Sequence, residues 1–199
     1  MNIKVVLFDA DGVMINGEMF SEHLERDFGV SKDIIAPFFK GPFRDCIIGN
    51  ADLKEIILPY LKEWNWEGTV DEFLTYWFKS EHNIDMNLVK YISKLRDKGI
   101  KCYLVTNQEK YRVEYMLKEM DFQNVFDKIY ASAHLGHRKP AQEFYEKMYA
   151  DLGNVQKDEI LFWDDNEENI EQARIFGINA ELYKNFEKFE GKMNEYITE

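Results

Sequence analysis

The chain has 199 residues, with 37 acidic against 25 basic side chains, a net charge of −12, and no basic run. Nucleic acid and anionic membrane are therefore excluded as natural partners, and small soluble ligands suit this charge better. No stretch approaches the length that spans a bilayer, and Cys46 and Cys102 have no ligand spacing and sit beside apolar residues, which reads as reduced thiols in a cytoplasmic protein.

Val5-Val6-Leu7-Phe8 reads as a strand buried on both faces, and it runs directly into Asp9-Ala10-Asp11-Gly12-Val13. Between residues 16 and 82 no strand pattern is found. Met19, Phe20, His23, Leu24 and Phe28 fall at helical spacing and are closed by Gly29. A short helix over 34–39 is broken by Gly41-Pro42, and residues 43–49 mix polar and apolar side chains without a period. Leu53, Ile56, Ile57, Leu61 and Trp64 predict another helix. Thr69-Val70-Asp71-Glu72 has the form of a capping box ahead of Phe73, Leu74, Tyr76, Trp77 and Phe78. Residues 16–82 thus read as an all-helical module inserted into a core made of 1–15 and 83–199.

Strand and helix then alternate. Asp85 caps a helix carrying Leu88, Val89, Ile92 and Leu95, ended by Gly99; a strand over 100–105 stops at Thr106-Asn107-Gln108. A helix follows over 111–120 and a strand over 128–132. A loop over 133–139 precedes a helix opened by Pro140 and running to about residue 152. A strand over 160–163 ends at Asp164-Asp165-Asn166, then come a helix over 167–176, stopped by Gly177, and a last strand over 179–183. Helix-length segments between strands require parallel pairing with right-handed crossovers. The expected fold is α/β: a Rossmann-like parallel sheet with helices on both faces, plus the small helical insert.

The chemistry is concentrated at strand ends, where open α/β sheets bind ligands. Asp9 can attack phosphorus as an ionised carboxylate, since an ordinary Asp needs no base at neutral pH. Asp11 has left the strand and can protonate a leaving alkoxide, then deprotonate water. Taken alone, Asp-Ala-Asp-Gly also suits an ordinary solvated turn. Thr106 and Asn107 offer a hydroxyl, an amide and a backbone N–H to phosphoryl oxygens, or form a helix N-cap. Lys139 before Pro140 is kept extended, so its ammonium can offset Asp9 and a phosphate; the alternative is an exposed lysine. Asp164 and Asp165 repel unless a cation is present. Asp9, the Asp11 carbonyl and Asp165 suit Mg²⁺, with Asp164 holding Lys139 and Asn169 fixing the acidic loop. Capping by Asp165 or Asn166 is compatible with both roles.

Phe8-Asp9-Ala10-Asp11-Gly12-Val13, Val105-Thr106-Asn107, Arg138-Lys139-Pro140, and Phe162-Trp163-Asp164-Asp165-Asn166 with Asn169 and Ala173 resemble, in this order, the four motifs of the haloacid dehalogenase-like hydrolase superfamily. With Leu135-Gly136 ahead of Arg138-Lys139-Pro140, the chain is similar to bacterial sugar phosphatases of the glucose-1-phosphatase type. The resemblance implies a Rossmann-like core, a helical cap inserted after the first motif, Mg²⁺ and an aspartyl-phosphate intermediate. Dehalogenases usually lack the second aspartate of the first motif, so Asp11 points to phosphate chemistry.

The expected activity is hydrolysis of a small phosphorylated metabolite, a sugar phosphate among them. The alternatives are a phosphomutase on the same scaffold and a non-catalytic phosphate-binding or partner-binding domain. Nothing in the pattern sets an oligomeric state. Within the insert, Phe43, Arg44, Tyr76 and Trp77 could line a pocket, although aromatic residues at helical spacing more often form core. His134 and His137 lack a third metal ligand and read as solvated loop residues.

Overall fold

The computed structural model describes residues 2–197. Five strands, β1 (Val5–Phe8), β2 (Lys101–Thr106), β3 (Lys128–Ala131), β4 (Ile160–Asp164) and β5 (Asn179–Leu182), form one parallel sheet in the order β3-β2-β1-β4-β5. β1 is central because its four side chains are apolar and can be buried on both faces. Val6 and Phe8 enter the layer containing Leu88, Ile92, Phe189 and Met193. Val5 and Leu7 enter the opposite layer with Phe144, Tyr145 and Ile170. This alternation is the two-residue period of a strand, and each such side chain contributes roughly 1.5–3 kcal/mol by leaving water.

The segment between β1 and β2 contains the helices α1 (Phe20–Phe28), α2 (Lys32–Lys40), α3 (Phe43–Ile47), α4 (Leu53–Glu63) and α5 (Val70–Ser80), followed by α6 (Met86–Asp97) of the core. The remaining helices are α7 (Lys110–Lys118), α8 (Phe122–Val125), α9 (Ser132–Leu135), α10 (Gln142–Asp151), α11 (Glu167–Phe176) and α12 (Phe186–Tyr196). Helices α1 to α5 bury a cluster of their own, in which Phe38, Trp64 and Phe73 are fully enclosed and Phe20 stacks on Trp77 at 4.7 Å. The Thr69–Glu72 capping box forms as expected, with reciprocal bonds of 2.7 and 3.2 Å. No helix among the described residues is long and apolar enough to cross a membrane.

The chain enters and leaves the insert side by side. The Asn16 N–H donates to the Asn83 carbonyl and the Asp85 N–H to the Met14 carbonyl, both at 2.9 Å, and Ile15 bridges to Ile84. On the far side the insert rests on the core at α9, where Ser132 Oγ donates to the Ile47 carbonyl at 2.6 Å. It also rests on α7: Lys110 Nζ reaches Asp52 at 2.6 Å and Arg112 Nη1 donates to the Phe78 carbonyl at 2.8 Å.

Several elements depart from the sequence expectation. Residues 43–47, which show no period, form a helical turn because Phe43 and Cys46 pack inward while Arg44 and Asp45 face out. The loop after β3 contains the turn α9. Pro140 lies in the turn closed by the Ala141 N–H on the Arg138 carbonyl, so α10 starts at Gln142. Helix α12, which covers β1 and β4 through Phe189 and Met193, has no counterpart in the sequence reading.

Candidate active site

Strand order reverses between β1 and β4, and both strands end in aspartates there. The Asp9 N–H donates to the Trp163 carbonyl at 2.9 Å, extending the ladder by one residue and fixing the Asp9 backbone against β4. The Tyr183 N–H donates to the Asp164 carbonyl at 2.9 Å and does the same for Asp164.

Lys139 is buried at 2 % exposure, a position a lysine takes only when paired. Its Nζ donates to Asp9 Oδ1 at 2.7 Å, Asp164 Oδ2 at 2.7 Å and the Val105 carbonyl at 2.9 Å. All three ammonium protons are used. Burial opposes the charge, but the two carboxylates outweigh it and hold the ammonium above its ordinary pKa. The Lys139 backbone is held by Asn107, whose Oδ1 accepts from the Lys139 N–H at 2.8 Å and whose Nδ2 donates to the Lys139 carbonyl at 2.9 Å. The Asn107 amide, expected to face phosphate, is thus occupied, and its backbone N–H is the donor that remains for an anion. Thr106, fully buried, closes β2 beside it.

Asp164 has no solvent exposure, and both its oxygens are hydrogen-bonded. Asn169 Nδ2 donates to both at 3.0 Å, the Asn166 N–H to Oδ1 at 2.9 Å, and Lys139 to Oδ2. Asp164 therefore acts as a brace. Asp165 is exposed and has no side-chain partner among the described residues. One oxygen from each of Asp9, Asp164 and Asp165 lies within 4.8 Å of the others. Because Asp164 is saturated, Asp9 Oδ2 and the Asp165 carboxylate are the oxygens left for a cation. Such hard donors are the kind Mg²⁺ takes.

The electrostatics agree with that inventory. Burial, reinforced by Asp164 and opposed by Lys139, lifts the Asp9 carboxyl well above the usual carboxylate range. Burial therefore disfavours the charged form of Asp9, and the Lys139 ammonium at 2.7 Å is the group that opposes this. Asp11 and Asp165 are also raised, each first by the water that the surrounding protein displaces. Three carboxyls whose ionised forms are under-compensated by one lysine are what a divalent cation beside them would balance.

Asp11 lies at the mouth of the site, reached by solvent. Gln108 Nε2 donates to its Oδ2 at 2.5 Å, and the Arg112 guanidinium, buried at 3 % exposure, acts on it electrostatically. Neither Gln108 nor Arg112 was assigned a role from sequence; a polar residue directly after Thr-Asn is the only signal for the first, and the helical period alone does not mark the second. Phe43 and Trp77 are buried in the insert and Tyr76 donates to Asp27 at 2.7 Å; of these aromatic residues Trp77 lines a cavity of the insert, beside Glu81, to which its indole N–H donates at 3.1 Å. Arg44 is exposed and has no ion pair among the described residues, and His134 is exposed.

Fold and site together define a doubly wound α/β protein with an acidic, lysine-braced centre at its switch point. The haloacid dehalogenase-like hydrolase family model matches residues 6–182, and the chain belongs to that family. Among characterised relatives, it is 31% identical over 120 residues to a D-ribitol-5-phosphate phosphatase of Bacteroides thetaiotaomicron, covering 57% of each protein. It is 33% identical over 95 residues to a sesquiterpene phosphatase of Aspergillus oryzae, covering 47% of each. The matched segments thus span about half the length of these relatives. In structure it is similar to a HAD family enzyme from Bacteroides thetaiotaomicron, with a TM-score of 0.83 and 22% identity over 97% of this chain and 99% of that one. That enzyme has also been crystallised with magnesium and inorganic phosphate; this form gives a TM-score of 0.77 at 22% identity, covering 92% and 94% of the two chains.

Proposed function

We propose that the chain is a Mg²⁺-dependent phosphomonoester hydrolase that acts on a small phosphorylated metabolite through an aspartyl-phosphate on Asp9. The observation that carries this reading is the contrast between two aspartates on one turn: Asp9 buried and pinned by Lys139, Asp11 at the solvent-reached mouth. The named activities of the two phosphatase relatives, and the magnesium and phosphate held by the similar HAD enzyme, support it.

Asp9 Oδ2, the Asp11 carbonyl and Asp165 would hold Mg²⁺, whose charge when bound keeps Asp9 ionised and neutralises phosphoryl oxygens. Thr106 and the Asn107 N–H bind the remaining phosphoryl oxygens, and Lys139, whose three protons are taken by Asp9, Asp164 and Val105, supplies positive charge beside them. Asp9 attacks phosphorus while Asp11 protonates the leaving oxygen; Asp11 then takes a proton from the water that releases phosphate. Residues 16–82 act as a lid that excludes other water and meets the leaving group. Two buried, unbridged cysteines suit a cytoplasmic setting.

Phosphate release should be measured on a panel of sugar, polyol and prenyl phosphates and p-nitrophenyl phosphate, with Mg²⁺ and with a chelator. Turnover that a chelator abolishes and Mg²⁺ restores is expected. A phosphomutase would form a bisphosphate with little phosphate release, and no turnover of any ester would overturn the proposal.

A further inference from the structure

Gln108 lies between Asn107, which grips Lys139, and Glu109, which caps α7, so its backbone is fixed from both sides. Its carbonyl is held as well, accepting from the Ala133 N–H at 3.3 Å. From this anchored position its Nε2 donates to Asp11 Oδ2 at 2.5 Å, across 97 residues of sequence. Among the described residues Gln108 is the one side-chain hydrogen-bond donor to Asp11, whereas Asp9 and Asp164 are both held by the Lys139 ammonium.

We propose that Gln108 is a positioning residue that decides which oxygen of Asp11 exchanges protons with substrate and water. An amide N–H bonds only to an oxygen that carries no hydrogen on that side. With Oδ2 engaged by Gln108, the proton of the acid form resides on Oδ1, and the carboxyl plane is fixed. The inference rests on the phosphomonoester hydrolase reading above. In the first step an Asp9 oxygen bonds to phosphorus, the ester P–O bond breaks with its electron pair on the leaving oxygen, and the Oδ1 proton passes to that oxygen. In the second step a water oxygen bonds to phosphorus and gives a proton to Oδ1. The bond from phosphorus to Asp9 then breaks, and its pair returns to the carboxylate. Both transfers use one oxygen of one fixed group, so losing the amide donor should slow both steps without weakening phosphate binding.

The test compares wild-type protein with Gln108→Met, which keeps length and removes the donor, and Gln108→Glu, which keeps shape and cannot donate when ionised. Two substrates are used: an alkyl phosphate, whose leaving group needs a proton, and p-nitrophenyl phosphate, whose leaving group does not. On the alkyl ester kcat should fall about 10- to 100-fold in both variants, less than the ~10²- to 10⁴-fold of an acid–base group itself because Gln108 acts through Asp11, with KM within about twofold. With p-nitrophenyl phosphate the initial burst of p-nitrophenol should persist while steady turnover slows, and a hydroxylamine-labile phosphoryl group should accumulate on Asp9. Equal losses on burst and alkyl ester, a change in KM alone, or wild-type behaviour would each overturn the role of Gln108. If wild-type protein hydrolyses neither ester, the hydrolase reading falls and this inference falls with it. If Gln108→Met does not fold, Gln108→Glu decides by the same readouts.

Discussion

Gly12 and Asp165 share one small space: a Cβ built on residue 12 would fall on the Asp165 carboxylate, and Gly12 has a φ of +78°. Two independent constraints, left-handed backbone and close approach, therefore converge on one glycine. Gly12→Ala should displace Asp165 and strain the turn after Asp11. The expected result is at least a tenfold rise in the Mg²⁺ concentration that half-saturates activity, and a Tm lowered by several degrees for about 1–2 kcal/mol of strain. Mg²⁺ titration of activity and thermal unfolding check both; unchanged metal dependence would separate Gly12 from the metal site.

The adjacent aspartates at the end of β4, Asp164 and Asp165, should fail differently. Asp165→Ala removes an exposed carboxylate and should leave Tm nearly unchanged while Mg²⁺-dependent activity collapses. Asp164→Ala leaves Lys139, Asn169 and the Asn166 N–H without their shared acceptor, and breaking such a buried pair costs about 3–5 kcal/mol. Denaturant unfolding beside Mg²⁺ binding distinguishes them, and equal stability losses would contradict the division of roles.

The two aspartates of the first turn separate by kinetics. Asp9→Asn should show neither a p-nitrophenol burst nor a phosphoenzyme. Asp11→Asn keeps the nucleophile, so p-nitrophenyl phosphate should still give a burst and a hydroxylamine-labile mass increase. Turnover of an alkyl phosphate should drop by at least ~10². A burst from Asp9→Asn would point instead to direct attack by water.

Glu109 supplies a pH dependence outside the metal site. Burial pushes this N-cap carboxyl up to about 7, against the Tyr111 and Arg112 N–H groups it accepts from and the charges of Lys110 and Arg112. Cys46 of the insert also lies within its field. The folded state holds the Glu109 proton more tightly than the unfolded chain, whose carboxyl titrates near 4.5. Its contribution to stability is therefore full below that value and is lost as pH rises toward 7. Glu109→Gln removes this slope. Its Tm should gain on that of wild type by a few degrees between pH 5 and 8, and parallel Tm curves would show that Glu109 does not titrate there.

Much of the candidate site was legible because three of its segments begin where an apolar run ends. Phe8 before Asp9, Val105 before Thr106 and Trp163 before Asp164 mark strand ends, and parallel topology brings such ends together. What was not legible depends on partners distant in sequence. Asn107 reads as a phosphate donor until Lys139, 32 residues away, takes its amide. Gln108 reads as filler until it meets Asp11, and Arg112 as an exposed helical arginine until Phe78 and Glu81 of the insert enclose it. Local pattern specifies which residues reach a strand end, and side-chain pairing across the insert is decided by tertiary packing.

Because Asn16 bonds to Asn83 and Asp85 to Met14, with Ile15 paired to Ile84 between them, the insert closes on itself at its root, and the sheet sees it there as a hairpin connection. The core can therefore tolerate wide change in what that connection carries: lengthening a closed loop raises its entropic cost only logarithmically. For the proposed lid this sets a division of labour: its outer helices are free to vary, while Phe78 and Glu81, which enclose Arg112 beside Asp11, stay tied to the aspartates at the strand ends.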